Sequence, residues 1–152
     1  MDLFWKWKPA NHHGGFPFVS WQTEALLQRY QAGLTSEGSY DTGTGGVDLP
    51  RETLTDWGLY SQIAWGFRKD WVVALQGDYV TRVGKADYEM ILGDDSDRLP
   101  RWRLSPNLTW YPSEFSKVRL QYNYDNRENI GVDHSVWLQF EFSMGAHAAH
   151  KF

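Results

Sequence analysis

The 152-residue chain has no cysteine, which excludes disulfides and thiolate metal sites. It has no apolar run of the ~18 residues that a membrane-spanning helix needs. It has no excess of basic residues either. Fifteen Lys and Arg stand against nineteen Asp and Glu, for a net charge of −4, so nucleic-acid binding is not expected. Nor does it open on a leader pattern. Met1 is followed at once by DLFWKWK, which reads as strand, so the chain is expected to be a mature form or, preferentially, a fragment. What it has in abundance is aromatic side chains, 16% of all residues with nine Trp, beside 22% charged residues.

The apolar residues alternate. Near the C-terminus Val136, Leu138, Phe140, Phe142 and Met144 share one parity. Ser135, Gln139, Glu141 and Ser143 share the other, with Trp137 its one large apolar member. A strand turns successive side chains to opposite faces, so one face is apolar and the other wet. The same period recurs over residues 2–8, 19–30, 54–67, 71–82, 101–111 and 117–125, which makes seven strands with the last. EALLQRYQ has a helix-favouring composition, but period two carries through from Trp21 to Leu27 and predicts a strand. Residues 33–52 and 83–100 read as long polar loops, 9–17, 68–70 and 112–116 as turn segments, and 126–132 as a loop of medium length.

Hairpin geometry then predicts cross-strand partners: Gln62 with Asp78, Arg103 with Asp125, and Lys117 with Glu141. Opposite charges on a shared face contribute roughly 0.2–1 kcal/mol each and help to pin register. Pro106 falls in mid-strand, where it cannot donate to a ladder. A bulge at Pro106-Asn107, or an exposed edge, is expected there.

An alternating, aromatic-rich last strand with Phe152 at its end resembles the C-terminal strand of Gram-negative outer-membrane β-barrels. NLTWYPSEFSKVRLQYNYD and LQFEFSMGAHAAHKF resemble the C-terminal portion of proteobacterial outer-membrane proteins described as porin-like or related to TonB-dependent receptors. DLFWKWKPANHHGGFPFVSWQTE resembles a more upstream part of such proteins. The tail departs from the commonest pattern, since GAHAAHKF puts small and basic residues before Phe152. The resemblance implies an all-β, antiparallel up-and-down transmembrane β-barrel. This chain supplies about seven or eight strands, as a single domain over 1–152 or as a C-terminal fragment of a larger barrel. It implies the outer membrane as location and Phe152 as an assembly signal read by the outer-membrane assembly machinery. Connections that mostly alternate short and long fit that topology, with the turns at 68–70 and 112–116 on the periplasmic side.

On this reading Trp57, Leu59, Ile63, Trp65, Val73, Leu75, Leu138, Phe140 and Phe142 face lipid, with Trp and Tyr near strand ends as interfacial girdles. Glu24, Gln62, Asp78, Arg101, Arg103, Arg119 and Glu141 face a lumen. The expected function is part of the wall of a pore or transporter for small hydrophilic solutes or ions, with a homo-oligomer as one way to complete it. No cofactor and no enzyme activity are expected. His134 and Ser135 near Asp133 would point to opposite faces of a strand and cannot make a base–nucleophile pair. His12, His13, His147 and His150 fall near one rim and are weak metal candidates; solvated rim histidines are the simpler reading. The alternative fold is a water-soluble β-barrel or sandwich that packs its Trp-rich face inward and binds a hydrophobic ligand, because parity alone fits both.

Overall fold

A computed structural model describes residues 1–41 and 46–144. The strands are β1 (Asp2–Trp7), β2 (Phe18–Ala32), β3 (Thr35–Asp41), β4 (Gly46–Leu49), β5 (Glu52–Arg68), β6 (Trp71–Arg82), β7 (Arg101–Ser113), β8 (Ser116–Arg127) and β9 (Gly131–Phe142). One short helix, α1 (Asp87–Leu92), lies between β6 and β7. β1, β2, β5, β6, β7, β8 and β9 form one sheet in that order, each strand antiparallel to the next. The seven alternating stretches are these seven strands, and EALLQRYQ lies within β2.

The sheet is open, and the two long connections differ from expectation. The sheet is not closed: among the described residues no ladder joins β1 to β9. An odd number of antiparallel strands leaves its two edge strands running the same way, so β1 and β9 cannot close the sheet by an antiparallel ladder. The stretch 33–52 is not all loop, since β3 and β4 pair as a separate hairpin. The stretch 83–100 holds α1.

Register follows the turns. Arg103 pairs with Asp125 and Lys117 with Glu141, as the hairpins predict. Gln62 instead pairs with Gln76, and Asp78 with Tyr60. The turn is the two residues Lys69 and Asp70, with Asp70 at φ 66°, and the ladder shifts between Trp65 and Arg68. Asp tolerates that left-handed conformation. Pro106 makes neither bulge nor edge. It sits in β7, between β6 and β8, with unbroken register towards β6. On the β8 side the paired positions pass from Leu104 to Asn107 without a change of offset. The ladder skips the proline and stays in phase.

Burial runs opposite to that of a water-soluble sheet. The apolar face is exposed, from Trp57 and Leu59 on β5 to Leu138 and Phe140 on β9, with Phe140 72% exposed. Ser105, Asn107, Thr109 and Asn123, on the other face, are buried, with Thr109 1% exposed. Val72 and Ala74, paired with Thr109 and Asn107, are buried beside them on that face, and the Trp-rich face has no layer over it among the described residues.

Candidate functional site

The site is the polar face of the sheet, where register sets charged side chains in transverse rows. One row crosses all seven strands: Asp2, Glu24, Tyr60, Asp78, Arg103, Asp125 and Asp133. It carries five carboxylates and one guanidinium at one level. One step towards the end that bears 83–100, Arg101 and Arg127 face each other across β7 and β8. One step the other way the row is Phe4, Gln22, Gln62, Gln76 and Ser105. Adjacent rows on one face lie about 7 Å apart.

The face is held by side-chain hydrogen bonds and ion pairs. Gln22 donates to the Tyr60 hydroxyl at 2.7 Å and Gln76 to Asp78 at 2.8 Å. Arg103 pairs with Asp125. Gln121 donates to Asn123 at 2.8 Å, and Asn123 to the Ser135 hydroxyl at 3.0 Å. Arg119 donates to Thr109 Oγ1 at 3.1 Å, and Lys117 Nζ lies 2.6 Å from a Glu141 oxygen. At the β7–β9 side a concavity of about 640 Å³ is lined by groups including Arg101, Arg103, Arg127, Asp78, Asp125 and Asp133. Of the sequence-assigned polar set, Glu24, Asp78 and Arg103 therefore share one row. Gln62 lies one row away and Arg101 on the other side. Arg119 and Glu141 sit near the end that bears the short turns.

A side-chain cluster that the sequence did not reveal sits where 83–100 meets this face. Glu89, on α1, is fully buried. It is ion-paired with Arg82 and Arg98 and accepts the backbone N–H of Ala86 at 2.7 Å and of Asp95 at 3.2 Å. Arg98 also reaches Asp56 at 2.8 Å, and Arg82 reaches Asp94 at 3.0 Å. Glu52 accepts the N–H groups of Asp87 and Tyr88 at 2.8 and 3.1 Å, satisfying free donors of the first helical turn. Asp56 and Arg82 belong to the polar face, so this segment is fastened to that face. Asp95 is held below the usual carboxylate range, first by the Tyr88 hydroxyl, which donates to it at 2.6 Å. Burial pushes the Tyr88 phenol up to about 12, with that hydrogen bond adding to it. The sequence signal is faint. Glu89 occupies the third helical position, but Ala86 offers no side chain to complete a recognisable capping pattern.

The opposite face carries Trp57, Leu59, Ile63, Trp65, Val73, Leu75, Leu138, Phe140 and Phe142, each exposed. Among the described residues its Trp, Tyr and Phe rings meet in separate pairs rather than one cluster. Trp71 stacks on Trp110 at 5.9 Å, Trp57 meets Tyr79 at 5.3 Å, and Trp102 meets Tyr124 at 5.1 Å. Trp5 and Trp21 pair at mid-height, in one row with Ile63, Leu75 and Pro106. His134 shares this face with Tyr122 and Tyr124, whereas Ser135 bonds to Asn123 and Trp137 on the other. The histidine and the serine diverge. His12 Nδ1 lies 3.2 Å from the Pro9 carbonyl, and His13 bridges to Phe16 through its backbone. Among the described residues no cluster of three or more His, Asp or Glu could hold a metal ion. His147, His150 and Phe152 lie outside the described residues.

No family model matches the chain, and no solved structure does. It is 33% identical over 146 residues to a protein of Aquifex aeolicus (strain VF5) described as uncharacterized. The match takes in 90% of this chain and 28% of that protein, so the chain spans less than a third of that relative's length.

Proposed function

We propose that this sheet is a segment of the wall of an outer-membrane β-barrel, with its apolar face against lipid and its polar face against a water-filled lumen that passes small hydrophilic solutes or ions. The observation that carries the reading is the inverted burial: large apolar side chains exposed along one whole face, packed polar side chains on the other. A contiguous exposed apolar face of this extent needs a partner, and lipid covers it without a second protein layer. Strands β6 to β9 have 12 or 13 residues, enough to cross a hydrocarbon core at the usual tilt. The charged rows are too costly to seal in a dry interior and suit a hydrated one. No helix of the described residues is long and apolar enough to cross a membrane. Strands would do the spanning.

On this reading the remaining wall comes from strands beyond these seven, and 83–100 leans over the lumen at one mouth through Arg98 and Arg82. The chain acts as a conduit, not as a catalyst, and needs no cofactor. Phe152 serves as the assembly signal. Reconstitution of the full-length protein in planar bilayers tests the function. Stepwise conductance is expected. A correctly inserted protein that never conducts would replace the conduit with a structural anchor.

A further inference from the structure

We infer that the concavity on the polar face of β7–β9 is a binding site for a small zwitterion of the amino-acid type. Its carboxylate would lie between Arg101 and Arg127, and its ammonium on the acidic row beside Asp133. The inference rests on the reading of this face as a wetted wall and names the solute class.

Three arginines and three aspartates line the concavity, so its net charge is zero. Only Arg103 and Asp125 neutralise each other. Asp78 accepts from the uncharged Gln76. Arg101 and Arg127 stand directly opposite each other, an arrangement that is destabilising for like charges. Neither has a carboxylate partner among the described residues. The Arg127 Nε is buried and has no hydrogen-bond partner, which carries a desolvation cost that a ligand oxygen would remove. Asp133 lies diagonal to Arg127, since Arg127 pairs with Gly131 and Asp125 with Asp133. It too makes no ion pair among the described residues.

The unneutralised cations and carboxylates are thus segregated on two adjacent levels, roughly 7 Å apart. A simple anion at the arginines would face the acidic row, and a simple cation at the aspartates would face the arginines. A zwitterion satisfies both levels at once. Two guanidiniums offer fork geometry to a carboxylate, and the space exceeds what an amino acid with its hydration water requires.

The test uses the full-length protein in detergent and saturation-transfer NMR with L-alanine, propionate and ethylammonium, the last two being alanine without its ammonium and without its carboxylate. Alanine is expected to bind at least about tenfold tighter than either control, the effect of one charge-assisted contact. Arg101→Gln and Arg127→Gln should each lower alanine binding to the ethylammonium level. Asp133→Asn should lower it to the propionate level. Arg127→Lys keeps the charge without the fork and should fall in between. Each variant removes an uncompensated charge, so retained β-sheet circular dichroism is expected. Alanine binding no tighter than both controls would overturn the inference, and so would alanine binding unchanged in Arg127→Gln. A protein that is silent in bilayers but shows the expected binding pattern upholds the site and removes only the conduit.

Discussion

Gly66 shows how a single residue fixes one end of the sheet. A Cβ built there would lie 2.3 Å from the Phe18 ring and 2.8 Å from that of Phe16. Phe18 faces Gly66 across β2 and β5, packs against Phe16 at 5.4 Å, and carries the Lys6 ammonium 4.7 Å from its ring centroid. The ring has no free direction in which to retreat without leaving these contacts. Gly66→Ala should therefore destabilise the fold by about 1–3 kcal/mol, the usual cost of overpacking. Adding Phe18→Ala should recover part of the loss. Thermal unfolding of the two variants in detergent checks both. The glycine is visible in the sequence, as one of two in β5 with Gly58. Its partner is not, because the β2–β5 register depends on a long connection whose length does not set a unique offset. Pro106 makes the same point. The sequence marks it as a defect in a central strand, whereas the chain accommodates it by omitting pairs on one side only.

At the scale of elements, the seven strands of the main sheet and their short turns were legible, and the contents of the two long connections were not. Period two carries through every strand of the main sheet, because each has one apolar and one polar face. The segment 83–100 has no such period, and its order comes from ionic contacts that no local pattern announces. Glu89 joins Arg82 and Arg98 there. Glu89→Gln leaves two largely buried guanidiniums short of one carboxylate, which costs about 3 kcal/mol locally, while the sheet itself stays formed. Trypsin at neutral pH should then cut at Lys85 much faster than in the parent. Cleavage at the parent rate would show that Glu89 does not hold the segment.

The same segment should respond to pH in one direction. Asp94 is held below the usual carboxylate range by hydrogen bonds from Arg82 and Lys85, and Asp95 by that from Tyr88. Both values are depressed in the folded segment. Their stabilising effect is complete above the ordinary carboxylate value of ~4 and is lost as pH falls through the depressed values. Tyr88, pushed up to about 12, keeps its proton throughout. A spin label at the exposed Met90 should have constant mobility from pH 7 to 5 and become freer below about pH 4.

For the whole molecule, the sequence shows two faces but not which of them is packed. Parity is the same for a membrane sheet and for a soluble sandwich. The difference lies in burial: Thr109, Asn107 and Asn123 are buried on one face while Leu138 and Phe140 are exposed on the other, which supports the proposed reading. Closure was not legible for a related reason. Strand count alone leaves open what completes the sheet, whereas strand direction constrains it: β1 and β9 run the same way, so an all-antiparallel barrel needs an odd number of further strands between them. That condition also bars a ring made only of copies of this sheet joined β9 to β1, because each junction would be parallel.

Side-chain accessibility tests the orientation of the two faces most directly. The chain has no cysteine, so single cysteines give an unambiguous readout. In membranes isolated from cells that make the full-length protein, Cys at Trp57, Leu59, Ile63, Trp65, Val73 and Leu75 should react only with lipid-soluble reagents. Cys at Gln62, Gln76 and Asp78 should react with water-soluble, membrane-impermeant ones. The reverse pattern, or uniform protection of the first set in a protein that fractionates with the aqueous phase, would contradict the account and make the Trp-rich face the core of a water-soluble protein.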